Sequence, residues 1–289
     1  MATETDFSVE WLTTRYPFDV AARNKDVEQA ALMGLPAERP IRLIDLGAGT
    51  GNNCRYFIPK LPQDQEWLLL ELNPHLIAAA KSQLHAFAKE AGFKVTPTAD
   101  GLYLAGRKKV TIRFREMSFL NLKEQLDLGS YDLVMAGAVI DLLTVNMLEM
   151  LVQQFIGHVV PFLATINFTG MQFEGATEQD QHYTKLYIQH MRRAQPFGRT
   201  LGAACIPFLK SWLLVRDIPF LSGASDWVIS PTDRAMHELT LGFMQGAIPE
   251  LLHTPNELNT FNQWLIEKKE QSDRRKLSFR VEHFDIYIP

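Results

Sequence analysis

The segment Ile41-Arg-Leu-Ile-Asp45-Leu-Gly47-Ala48-Gly49-Thr-Gly51-Asn52 constrains the fold of this chain more than any other stretch. An apolar run ending in a carboxylate and passing straight into three alternating glycines reads as a buried strand, a tight turn and the start of a helix. Glycine permits the turn and lets a ligand approach the backbone, and the helix start offers unpaired N–H groups. Short apolar runs at 41–46, 67–72, 110–114, 131–136 and 162–168 alternate with amphipathic stretches at 52–58, 74–91 and 142–160. That alternation predicts βα units around a parallel sheet buried on both faces, a doubly wound α/β fold.

The loop discriminates between ligands. A pyrophosphate binder carries G-x-G-x-x-G against a helix dipole. Here the third glycine comes one residue early, and Asp45 stands where it would repel a pyrophosphate but attract an ammonium. Glu71 closes the second apolar run, 20 residues beyond Gly51, where a carboxylate can accept hydrogen bonds from both ribose hydroxyls. An adenosine with an ammonium-bearing arm describes S-adenosylmethionine.

Over roughly residues 40–170, Asp45-Leu-Gly-Ala-Gly-Thr-Gly51 with Glu71-Leu-Asn73 resembles the class I S-adenosylmethionine-dependent methyltransferases. The resemblance implies a Rossmann-like, mostly parallel seven-stranded sheet with a helical insertion after the fifth strand. It places the methionine part of the cofactor on Asp45, Gly47, Ala48, Gly49 and Gly51, and the ribose on Glu71 beside Leu72. Ala136 and Gly137 would approach the methionyl group by backbone, and Asp141 would face the reaction space or cap the next helix. Where the family often has an acid for the adenine amino group, this chain reads Glu116-Met117-Ser118-Phe119. Met117 would pack on the adenine face, with Ser118 or Glu116 taking the amino group.

The implied division is a helical segment over the cofactor site (1–40), the binding core (41–170), a helical substrate cover (171–230) and C-terminal helices with a final antiparallel strand (231–289). Residues 9–35 read as one or two helices, with Pro17 breaking or starting one. Helices are expected near 180–195, 202–216, 231–253 and 257–271, and strands at 226–230 and 277–288. The last strand alternates as Phe279, Val281, His283, Asp285, Tyr287. The aromatics of the cover, Phe173, Tyr183, Tyr187, Phe197, Phe208, Trp212, Phe220 and Trp227, either line a substrate pocket or form the insertion's own core.

Methyl transfer is an in-line displacement that needs proximity, alignment and sometimes a base. Asp141, His190 and His182 are the candidates for that base. Arg15, Asp19 and Arg23 recur at i, i+4 and share one helix face. Arg23 would pair with the cofactor's carboxylate, or the series is a solvated ion-pair ladder. The basic cluster at 268–269 and 274–276 reads as a solvated helix end.

Exclusions narrow the reading. The 33 acidic against 29 basic residues lack the footprint of a general nucleic-acid binder. Cys54 and Cys205 stand in no metal-ligand spacing, so no metal is expected and both read as buried free thiols. No apolar run is long enough to span a membrane, and the polar N-terminus is not a secretory signal, so a cytoplasmic protein is expected. Residues 136–139 read Ala-Gly-Ala-Val rather than [Asn/Asp]-Pro-Pro-aromatic, the family's motif for methylating nucleobase or glutamine amino groups. The expected activity is O- or N-methylation of a small organic acceptor. The alternatives are a non-catalytic S-adenosylmethionine-binding module and an aminopropyl transferase on the same fold, which would need an acidic channel.

Overall fold

The first helix shows how burial overrides local punctuation. A computed structural model describes residues 8–192, 194–195 and 198–289. In it, α1 (Val9–Ala22) is capped by the Ser8 hydroxyl, which accepts from the Trp11 N–H at 3.0 Å. Pro17 lies inside α1 and does not end it. Pro17 and Thr13, whose carbonyl loses its helical donor, are both exposed, so water can serve that carbonyl. The break comes instead after Arg23, where Asn24 caps α2 (Lys25–Met33).

The chain then runs β1 (Ile41–Leu46), α3 (Asn52–Phe57), β2 (Gln65–Glu71), α4 (Pro74–Glu90), a hairpin of β3 (Lys94–Pro97) and β4 (Gly101–Ala105), β5 (Lys109–Glu116), α5 (Leu122–Gln125), β6 (Leu133–Gly137), α6 (Val145–His158) and β7 (Phe162–Phe173). It continues through α7 (Glu178–His190), a two-residue pair β8 (Ala194–Gln195) and β9 (Gly198–Arg199), α8 (Cys205–Leu214), β10 (Leu221–Ala224), β11 (Trp227–Ile229), α9 (Arg234–Ala247), α10 (Pro255–Asp273) and β12 (Phe279–Ile288).

The main sheet has the order β10-β12-β7-β6-β1-β2-β5-β4-β3, with β11 also paired to β12. Strands β7, β6, β1, β2 and β5 are mutually parallel, and β12 runs antiparallel to β7. Among the described residues the sheet has ten strands where seven were expected, the additions being the β3–β4 hairpin and β10. β3 and β10 are short edge strands, β3 largely exposed and β10 reading Leu-Ser-Gly-Ala, while β4 is a five-residue strand between β3 and β5. Edge strands carry little apolar patterning, which is why the sequence conceals them.

From β1 the chain winds outward to β2 and β5 on one side and to β6 and β7 on the other. The carboxyl ends of β1 and β6 therefore flank the switch point where open α/β sheets bind ligands. Helices cover both faces. Val27, Ala31, Cys54, Phe57 and Leu84 pack on Ile41, Leu43 and Trp67. On the opposite face Leu148, Leu151, Phe155, Ile206 and Leu209 pack on Ile44, Leu46 and Val134.

A third cluster joins α1, α7, α9 and α10 to β11 and the extended ends of β7 and β12, through Trp11, Phe168, Phe173, Tyr183, Trp227 and Trp264. The insertion's aromatics thus largely serve as core: Phe173, Tyr183, Trp212 and Trp227 are all buried. Phe197 lies outside the described residues. The reading of 268–269 as a solvated helix end fails at Lys268, which is buried with its Nζ 2.6 Å from Asp180 Oδ1. Among the described residues, no helix is long and apolar enough to cross a membrane.

Candidate functional site

The glycine turn does what its composition requires. Gly47, Gly49 and Gly51 all have positive φ, at 59°, 54° and 77°. A Cβ on Gly49 would sit 3.0 Å from Leu12 of α1, and one on Gly47 would sit 3.0 Å from Val139. The turn is therefore roofed by α1, and the Asn52 side chain ties the two by donating to the Leu12 carbonyl at 2.9 Å. Ala48 is buried beneath this roof.

Asp45, at the end of β1, is 1% exposed. Its Oδ1 accepts from Asn53 Nδ2 at 2.9 Å, and its Oδ2 has no partner. Burial pushes its pKa up to about 7, against the opposing pull of the Asn53 hydrogen bond and the Arg23 charge. A buried carboxylate held near neutrality, with one oxygen unpaired, is short of a cation. An ammonium delivered to that oxygen would supply it.

Glu71 ends β2 beside the turn. Its Oε2 accepts from Gly49 N–H at 2.9 Å, and its Oε1 from Leu72 N–H at 2.8 Å and Asn73 N–H at 3.0 Å. Three backbone donors fix the carboxylate, and its remaining lone pairs can still accept from hydroxyls. Leu72 is exposed beside it. Glu71 is in register with Glu116, the exposed last residue of β5. Met117 follows, buried, its N–H on the Glu71 carbonyl at 3.3 Å. The Ser118 hydroxyl caps a short 3-10 turn by accepting from Leu120 N–H at 3.3 Å.

Ala136 pairs with Leu46 across β6 and β1. A Cβ on Gly137 would fall 2.9 Å from Asn53 Nδ2, so glycine there makes room for the side chain that holds Asp45.

Arg23 is not part of a solvated ladder. It is 5% exposed, donates to Asn53 Oδ1 and to Thr165 Oγ1 (3.3 Å), and lies over the Tyr56 ring at 4.2 Å. Arg15 and Asp19 are buried as well, joined Nε to Oδ2 at 3.0 Å. The i, i+4 face of α1 thus turns inward onto the ends of the strands.

Asp141 follows β6 in a 3-10 turn and is 5% exposed, with Oδ1 unpartnered. Burial pushes its pKa up to about 6. It does not cap the following helix, since Thr144 fills that position on α6.

The two histidine candidates lie elsewhere, on α7. His190 Nε2 is 2.8 Å from Glu250 Oε2, clasping α7 to the turn after α9. His182 is exposed beside a shallow groove lined by Glu178, Tyr183, Leu252 and Asn256.

Sequence reasoning missed Asn53, Thr165, Asp285 and His283. Asp285 is buried and accepts from Ile166 N–H at 2.7 Å and Asn24 N–H at 2.9 Å. It thereby pins the α1–α2 break and a bulge in β7, where Ile166 has φ 56°. Ala138, just past β6, has the same φ. Such conformations cost about 1–3 kcal/mol each and gather where a site must be shaped. One signal for two of these residues was available: His283 and Asp285 occupy inward positions of an alternating strand that otherwise carries apolar side chains.

No protein-family profile matches the sequence, and no curated protein does. Among solved structures the chain is similar to the YcgJ protein of Bacillus subtilis, at 13% identity and a TM-score of 0.50, covering 91% of this chain and 97% of that one. It is also similar to phosphoethanolamine N-methyltransferase 2 of Haemonchus contortus in complex with S-adenosylmethionine, with 13% identity, a TM-score of 0.44, and coverage of 99% of this chain and 58% of that one. The cyclopropane synthase MmaA2 of Mycobacterium tuberculosis aligns at 12% identity with a TM-score of 0.45, over 97% and 95% of the two chains. The likeness to the Bacillus subtilis protein is one of overall fold, a mostly parallel sheet with helices on both faces.

Proposed function

We propose that this chain is an S-adenosylmethionine-dependent methyltransferase acting on a small organic molecule at oxygen or nitrogen. One observation carries the reading: Asp45 is a fully buried carboxylate with an unpaired oxygen at the mouth of a positive-φ glycine turn. That donor set fits the cofactor, with a carboxylate for its ammonium, Glu71 for its ribose and a glycine backbone it can approach closely.

The chain's own groups divide the work. Asp45 binds the amino group, while Arg23 and Asn53 hold Asp45 in place through their hydrogen bonds. Glu71, fixed by three N–H donors, binds the ribose. Met117 borders the adenine position, and Ala136 and Gly137 leave room along β6. Leu12 of α1 closes over Gly49 and excludes water. Once bound, S-adenosylmethionine supplies an electrophilic methyl group on its sulfonium. Asp141, with a free oxygen, is placed to hold the acceptor's proton. The acceptor is the partner we assign, a small molecule rather than a nucleic acid, since the net charge of −4 gives no phosphate-binding field.

Incubating the protein with methyl-labelled S-adenosylmethionine and a panel of small phenols, amines and acids tests this. The expected result is acceptor-dependent S-adenosylhomocysteine that disappears in Asp45→Ala. Tight cofactor binding with no label transferred to any acceptor would make the chain a binding module instead.

A further inference from the structure

A second set of unpaired polar groups lies where α1 packs on β11. Arg15 commits its Nε to Asp19, whose other oxygen takes the Trp227 indole N–H at 3.1 Å. Among the described residues, no hydrogen bond reaches the two terminal amino groups of Arg15. Its guanidinium lies 5.9 Å from the Trp11 ring and 5.3 Å from the Trp227 ring.

Asp141 and His283 share this region, and the Arg15 charge acts on both. His283 is 4% exposed, its Nδ1 has no partner, and its ring sits 4.5 Å from Trp227 and 6.1 Å from Phe168. The Asp141 Oδ1 is likewise buried and unpartnered. Leaving a buried polar atom unpaired forfeits the hydrogen bond it would make to water. Two such atoms beside a half-used guanidinium, contributed by three distant segments, have no structural return within the fold.

Their chemistry specifies a complement. Free guanidinium N–H groups in a planar fork match a carboxylate. An unpaired carboxylate oxygen and an imidazole nitrogen match a hydroxyl or amine. The rings of Trp227, Phe168 and Trp11 form the apolar wall around these groups. On the β1–β2 side Asp45 and Glu71 take the cofactor's ammonium and ribose, whereas Arg15 is held against Trp227 of β11.

Resting on the methyltransferase reading, we propose that Arg15, Asp141 and His283 form the acceptor's subsite and that the acceptor is a small aromatic acid. Its carboxylate pairs with Arg15, its ring lies against Trp227 and Phe168, and its hydroxyl or amine donates to Asp141.

Benzoate and benzamide, which differ in charge at constant shape, are the probes. Each is titrated into protein saturated with S-adenosylhomocysteine, with affinity read by calorimetry and the His283 ring signals by NMR. We expect benzoate to bind at least about tenfold more tightly than benzamide and to shift the His283 resonances. Arg15→Lys, which keeps a cation for Asp19, should weaken benzoate about tenfold and leave S-adenosylhomocysteine affinity unchanged. Equal binding of the two probes, or unmoved His283 signals, would overturn the proposal while the cofactor reading stands. If Arg15→Lys instead weakened S-adenosylhomocysteine and spared benzoate, the guanidinium would belong to the cofactor's carboxylate and the proposal would fall. Failure of wild-type protein to bind S-adenosylhomocysteine at all would remove both readings together.

Discussion

Asp45 and Asp141 are both buried carboxylates at the carboxyl end of the sheet, each with an unpartnered oxygen, yet their surroundings are assembled in different ways. Around Asp45 the turn, the first residues of α3 and Glu71 come from one βαβ unit, and backbone N–H groups do much of the fixing. Around Asp141 the influences come from the Arg15 charge on α1 and the Phe168 backbone on β7, brought together only by the complete fold. The first environment is a local device that any βαβ unit with the right glycines can build. The second is a tertiary one, and α1 with its inward charges is the element common to both.

That difference can be broken at Arg23, where we expect the largest effect. Arg23→Met strips Asn53 and Thr165 of their donor and leaves Asp45 and Asp285 without their nearest cation. Urea denaturation should show a loss of about 3–5 kcal/mol, as for a buried charge network deprived of one partner. A loss below about 1 kcal/mol would mean that the α1 ladder behaves as a surface feature.

Glu71→Ala probes the local half. S-adenosylhomocysteine affinity should fall roughly 10–100-fold, since hydrogen bonds to a charged group are worth about 1.5–3 kcal/mol. Unchanged affinity would assign Glu71 to holding the loop alone.

Acidity sharpens the comparison next. Burial raises Asp45 to about 7 in the free protein. A bound ammonium favours the charged form, so cofactor affinity should rise with pH by at most about tenfold per unit below 7 and level off above it. For folding the sign is opposite. The folded value lies above the ordinary carboxylate value, so the stabilisation by the protonated form is complete below about 3.8 and is lost as pH climbs toward 7. Asp45→Asn should therefore gain thermal stability relative to wild type across that window, and a pH-independent difference would contradict the burial argument.

His182→Ala should have the smallest effect, within about 0.5 kcal/mol in stability and without consequence for cofactor binding, as for an exposed side chain outside the site.

What the sequence revealed follows from the same contrast. Strand β1 lies at 41–46, as its apolar run indicates, and Asp45, Gly47, Gly49, Gly51 and Glu71 sit around one turn because their spacing encodes that turn directly. The edge strands β3 and β10 left no pattern because exposed edges need none. His190 and His182 drew attention by residue type alone, and their positions on α7 serve a contact with Glu250 and a surface groove. His283 was hidden for the opposite reason, because its neighbours Phe168 and Trp227 lie far away along the chain. Arg15, Asp19 and Arg23 announced a shared face, while whether that face was wet or buried depended on what packed against α1.

Calorimetric titration of S-adenosylhomocysteine into wild-type protein and Asp45→Asn tests the central claim most directly. The substitution keeps the shape and an acceptor for Asn53, and removes the charge and one acceptor oxygen. Micromolar binding by the wild type, weakened about 10–100-fold in the variant at pH 8, is the predicted result. Equal affinities would show that the buried carboxylate does not bind the ammonium, and the assignment of this turn as the cofactor site would be wrong.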